Sequence, residues 1–145
     1  MWKNFDLFCS YDKSISTEVL AADEAGASVD LLGYDACTFL AVVGVAGVTL
    51  SATHFIELEV QDSADNSSFA AVANAEITDS VTGTNTGTFA KIDASSEADA
   101  VFKTTYIGAE RYAKAIVNFS GTHGTGTPIA IIAIRHAKHG DNPGV

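Results

Sequence analysis

The chain has 145 residues, 47% of them hydrophobic and 18% charged, which is enough apolar material for one buried core and too much for a disordered polymer. Its formal net charge of −10, from 8 Lys and Arg against 18 Asp and Glu, argues against nucleic acid as a partner, because phosphate binding requires clustered cations.

The first fifteen residues are rich in large apolar side chains, among them Trp2, Phe5, Leu7, Phe8 and Tyr11. Residues 1–15 therefore read as an apolar N-terminal arm or as a first strand. Asp6 and Asp12 interrupt this stretch, so it lacks the apolar region of an export signal. Residues 16–137 read as one β-sandwich domain. Residues 39–45 are apolar at almost every position, which predicts a strand covered on both faces. The longer run 39–48 contains Gly44 and Gly47 and is too short to cross a bilayer as a helix.

Over 55–61, Ile56, Leu58 and Val60 alternate with Glu57, Glu59 and Gln61, the period of a half-buried strand with a polar outer face. Asp62, Ser63, Asp65, Asn66 and Ser67 then supply turn chemistry, and glycines serve the same purpose in 82–87 and 121–126. One short helix is expected over 95–100. Two further strands, 111–120 and 128–137, flank the 121–126 turn and read as a hairpin. Residues 129–134 repeat the two-sided apolar pattern, and residues 138–145 read as a flexible tail. Strand signals recur roughly every ten residues, which predicts an all-β fold: an antiparallel, jelly-roll-like β-sandwich of about eight strands with at most one short helix.

Chemical motifs are incomplete wherever they are suggested. The 121–126 loop lacks the Lys and the following helix of a phosphate-binding loop, since Thr127 and Pro128 come next. Counted from Asp62, a calcium loop would need Gly and Glu where Ser67 and Ala73 stand. His136 and His139 are spaced like a ligand pair but have no further ligand nearby in sequence; His54 and His123 could join them only in space. Cys9 and Cys37 lack the spacing of a metal knuckle and read as small buried hydrophobes. With no nucleophile elbow or other catalytic set, neither an enzymatic activity nor a cofactor is expected. The candidate partner-binding residues are instead Trp2, Phe5 and Phe8 of the apolar arm, and Arg135, His136 and Lys138 of a locally basic end.

Four pieces of sequence share an order. They are Gly33-Tyr34, the 63–72 turn with Ser63, Asp65, Asn66, Phe69 and Val72, the 106–112 strand with Tyr106, Gly108, Glu110, Arg111 and Tyr112, and the Gly/Thr-rich stretch from Gly121 to His136. In this order the chain resembles a family of small bacteriophage virion proteins encoded near the major capsid protein. The resemblance implies a structural role in the particle, first as a capsid decoration or cement protein. Its partners would be the major capsid protein and further copies of itself, as a trimer or pentamer, with neither nucleic acid nor membrane involved. It would be made in the host bacterial cytoplasm and end on the capsid surface of the virion. A head fibre or spike domain that binds host glycans, and a tail or head–tail connector component, are the alternatives. The 63–72 turn with Arg111-Tyr112 also looks loosely like carbohydrate-binding jelly rolls, although the sole tryptophan, Trp2, lies in the terminal arm.

Overall fold

The computed structural model describes residues 9–137. Ten strands follow one another: β1 (Cys9–Leu20), β2 (Glu24–Ala25), β3 (Val29–Asp30), β4 (Tyr34–Val43), β5 (Phe55–Ser63), β6 (Ala70–Ala71), β7 (Thr88–Ile92), β8 (Ala100–Tyr106), β9 (Tyr112–Ser120) and β10 (Thr127–Ala137). The predicted helix at 95–100 is a single 3-10 turn, Ser95–Glu97, in which Glu97 accepts hydrogen bonds from the Asp93 and Ala94 amides; β8 begins directly afterwards.

All pairings are antiparallel. One sheet has the order β1-β10-β4-β8. In the other, β9 and β5 are central, the short pieces β2 and β3 share the flank of β9, and β6 and β7 share the flank of β5. The ten strands thus fill eight positions, four in each sheet, because each edge of the second sheet is broken in two. Successive positions alternate between the sheets except at the β5–β6 step, which is the winding of a jelly roll. For the same reason the 121–126 turn is not a hairpin. β9 and β10 lie in different sheets, so the turn is a corner between layers.

The alternating side chains of the four central strands make the core. Phe39, Ala41 and Val43 of β4 and Ile129, Ile131 and Ala133 of β10 face Ile56, Leu58 and Val60 of β5 and Ala113, Ala115 and Val117 of β9, all at most 1% exposed. Along the β5–β9 pair, Ile56 sits beside Phe119, Leu58 beside Val117 and Val60 beside Ala115.

The outer face of β5 departs from the expected solvent-facing row. Glu57 and Glu59 are each only 1% exposed because residues 82–87 fold over them. The Thr84 amide lies 3.1 Å from both Glu57 oxygens, and Asn85 Nδ2 donates to Glu59 at 2.8 Å. Cys37 is buried as expected, and burial pushes its thiol up to about 12, whereas Cys9 is only half-buried. Neither is in a disulfide.

The face assignment of β4 is testable at adjacent positions. Phe39→Ala should cost about 3–5 kcal/mol in urea unfolding, the usual result of emptying a core site. Val42→Ala, on the opposite face, should stay within about 0.5 kcal/mol of the parent. Equal losses at the two sites would contradict the placement.

Candidate functional site

The outer face of the β1-β10-β4-β8 sheet is largely apolar and is left uncovered by the other described residues. Its register places Tyr11, Ile134, Thr38 and Thr105 in one row, Lys13, Ile132, Leu40 and Lys103 in the next, and Ala130, Val42 and Val101 in a third, with Val19 beside Pro128 beyond. Nine large apolar side chains are conspicuously exposed among the described residues, and five of them, Tyr11, Val19, Val42, Val101 and Ile132, lie on this face. Isolated apolar side chains on a surface are ordinary, but a contiguous group with a polar rim marks an interaction site. Here Lys13 and Lys103, on the two edge strands, form part of that rim. The second apolar cover expected for residues 39–45 and 129–134 is therefore not supplied by the described chain itself.

The candidate basic end is arranged differently. Arg135 turns its donors inward: Nη1 donates to the Asp30 carbonyl and Nη2 to Ser10 Oγ, both at 2.9 Å. Its Nε lies 2.8 Å from Asp12 Oδ2, as a contact ion pair and not an aligned hydrogen bond, and the guanidinium sits 4.6 Å over the Tyr34 ring. His136 lies 2.8 Å from Thr38 Oγ1 through Nε2 and 3.8 Å from the Cys9 sulfur through Nδ1. Desolvation lowers its pKa, which favours the uncharged ring at neutral pH. Trp2, Phe5, Phe8, Lys138 and His139 lie outside the described residues. Cys9 pairs with His136, so the first and last described residues lie at one end of the sandwich. His54 and His123 do approach each other, with ring centroids 6.4 Å apart, but in the loops at the opposite end from His136. Among the described residues no group of three or more His, Cys, Asp or Glu is placed to hold a metal ion.

Three of the ordered sequence pieces, Gly33-Tyr34, the 63–72 turn and the 106–112 stretch, meet at the end marked by Cys9 and His136, whereas the 121–126 loop of the fourth lies at the opposite end, and the chemistry of the three is architectural. Tyr106, fully buried in β8, donates through its hydroxyl to Asp62 of β5 at 2.7 Å and accepts from the Glu110 amide at 3.2 Å, tying the two sheets together. Burial first, and the Asp62 hydrogen bond second, raise the pKa of this phenol. A Cβ on Gly108 would lie 2.4 Å from the Tyr106 oxygen, so only glycine fits there. Gly33 turns the chain into β4 with φ +89. Asp65 accepts from the Ser67 and Ser68 amides at 2.9 and 2.8 Å and from Ser63 Oγ at 2.8 Å, which uses the turn's carboxylate internally and lowers its pKa. Lys114 sits 4.0 Å over the Phe69 ring. Arg111 holds Asp30 through two bonds of 3.0 and 2.8 Å.

No family model matches this chain, and no curated protein does. Among solved structures, the chain is similar to one described as Bacillus endospore appendages forming a family of disulfide-linked pili, with TM-score 0.43, 11% identity, and 90% of this chain and 88% of that one covered. It is similar to the SPBc2 prophage-derived protein YomS at TM-score 0.41 and 12% identity, over 88% of this chain and 93% of that one. A third likeness is to the structure of infectious bursal disease virus, Gx strain, at TM-score 0.42 and 9% identity; it covers 94% of this chain but only 34% of the viral one.

The Asp30–Arg111 pair generates a pH prediction. The Arg111 hydrogen bonds and the Leu32 amide hold Asp30 at about 2, below the ordinary 3.8. A carboxylate depressed in this way stabilises the fold above the unfolded value, and its contribution is lost as pH falls from 3.8 towards 2. Both side chains are at least 40% exposed, so solvent screening keeps the effect modest. Asp30→Asn should thus unfold at lower urea than the parent at neutral pH, with the gap closing across that acid window. A gap that is constant with pH would reject the assignment.

Proposed function

We propose that the protein is a structural component of a bacteriophage particle, a capsid decoration or cement protein that works as a homo-oligomer by binding and not by catalysis. The observation that carries this reading is the uncovered apolar face of the β1-β10-β4-β8 sheet. The ordered sequence frame and the jelly-roll winding support it, since jelly rolls recur in viral shells. The same winding also serves lectins and cupins, so the fold alone does not choose among them.

Copies of the chain associate through this face. Four strands about 4.8 Å apart, and the span from Pro128 to Ile134 at about 3.3 Å per residue, give a face of about 400 Å². A stable standard interface buries about 800 Å² per partner, so this face alone supports weak association in dilute solution. A symmetric shell changes the balance by holding neighbouring copies at high effective concentration. Trp2, Phe5 and Phe8, next to the start of β1, provide the apolar contact to the major capsid protein. A protein that binds only the assembled shell stabilises it by linkage.

The variant Val42→Glu/Ile132→Glu places charge on the face without touching the core. Capsid occupancy should fall at least tenfold and light scattering should report monomers at all concentrations, while each change costs no more than about 0.5 kcal/mol of stability. Full occupancy by this variant would overturn the docking face. Deleting residues 1–8, and no further because Cys9 and Asp12 pair with β10, should release protein from capsids with little salt dependence. Electron microscopy of particles labelled on this protein should give signal across the shell. Signal confined to sparse projections or to one vertex would instead indicate a spike or a connector.

A further inference from the structure

On the opposite outer face, the loop that covers β5 leaves a cleft that its anchoring role does not require. β5 directs Phe55, Glu57, Glu59 and Gln61 outward beside Ser120, Asn118, Ile116 and Lys114 of β9. Between these strands and the 82–87 loop is a cavity of about 250 Å³, lined by Phe55, Glu57, Thr84, Asn85, Asn118 and Ser120. Its dimensions lie just below the roughly 300–1,000 Å³ of ordinary small-molecule clefts, which suits one ring and not an extended ligand.

The charge of the cleft selects the ligand class. Lys91 Nζ sits 3.5 Å from Glu57 Oε1 and 4.2 Å over the Phe55 ring, so the one nearby ammonium is already placed against both the acid and the aromatic wall. A cationic ligand would have to displace Lys91, and an anionic ligand would meet Glu57 and Glu59. The fit is to a neutral molecule. Glu57 receives the Thr84 amide and Lys91, but a carboxylate offers about four acceptor positions, which leaves capacity for hydroxyl donors. Asn85 and Asn118 each use one amide hydrogen on Glu59, at 2.8 Å. Their remaining amide groups and the Thr84 hydroxyl can both donate and accept, and Ser120 Oγ, whose hydrogen goes to the Thr53 carbonyl at 3.3 Å, can accept. An array of donors and acceptors beside an aromatic ring, one face of which Lys91 covers, matches a pyranose, whose rim carries hydroxyls and whose faces carry C–H groups.

We propose that this cleft binds a single neutral pyranose, the terminal ring of a glycan or a free sugar. Burying Glu57 opposite one partly exposed lysine is a costly way to anchor a loop, since an apolar residue of similar size often serves stability as well or better. The position is also favourable. The cleft lies on the outer face of one sheet and the apolar docking face on that of the other, so association through the latter leaves the cleft open. The two assignments are independent, and failure of one leaves the other standing.

The test is titration of the isotopically labelled protein with the methyl glycosides of glucose, galactose, N-acetylglucosamine and rhamnose, with mannitol as an acyclic control. At least one glycoside should give saturable shifts of the Asn85 and Asn118 side-chain amides at millimolar concentration, and mannitol should not. Glu57→Gln, which keeps the shape and an acceptor for Thr84, should weaken binding tenfold or more. If that variant melts, Phe55→Leu, which keeps apolar bulk but removes the ring, should do the same. Absence of saturable shifts at these amides with all four glycosides, or binding unchanged in the folded variant, would overturn the proposal.

Discussion

The inward rows of β4, β5, β9 and β10 are the constraint on which the rest of the molecule depends. Each strand commits every second side chain to the layer between the sheets, and the central positions there are almost completely buried. Fully burying a side chain of the size of Ile or Phe contributes about 1.5–3 kcal/mol, far more than any surface contact in the molecule. Once the inner rows are fixed, the alternate residues of the same strands must point outward. The character of the two outer faces is then free to vary, and it differs between the sheets. β5 carries carboxylates that its own chain covers, whereas β4 and β10 carry aliphatic residues that the described chain leaves bare.

Polar contacts act mainly at one end, where they hold the sheets in register. The Tyr106–Asp62 bond crosses between layers with its hydroxyl buried, and a hydrogen bond to a charged group there contributes about 1.5–3 kcal/mol. The bidentate Asp30–Arg111 pair is more exposed, so solvent screens it and its contribution is smaller. Arg135 joins β10 to the β3 carbonyl of Asp30 and to the start of β1. Its charge is consequently engaged in the fold, and the surface left for a partner on this sheet is apolar, with lysines at the rim.

Local pattern revealed much of this. The 2.0-residue alternation at Ile56, Leu58 and Val60 gave the core face of β5, and the strands predicted at 111–120 and 128–137 coincide with β9 and β10 to within a residue. Within the ordered frame, Asp65 and Gly108 satisfy short-range needs, the amides of a turn and a glycine under a ring, whereas Tyr106 and Arg111 reach Asp62 and Asp30 across the fold. The alternation did not reveal that the polar face of β5 is buried. The covering loop is set by Thr84 and Asn85, some 26 residues away from Glu59 and Glu57, and its contacts leave no periodic trace.

The sequence by itself determined the four strands that became β4, β5, β9 and β10, the core face of β5, and that the fold is an all-β sandwich. Those properties follow from side-chain period and turn chemistry, which are local. Only the tertiary structure decided which strands are neighbours. It turned the 121–126 loop into a corner between layers, gathered five exposed apolar side chains from β1, β4, β8 and β10 onto one face, and drew Arg135 into the fold. Strand pairing is a contest between residues up to 127 positions apart, as with Cys9 and His136, and it is settled by the joint burial of all the inner rows at once.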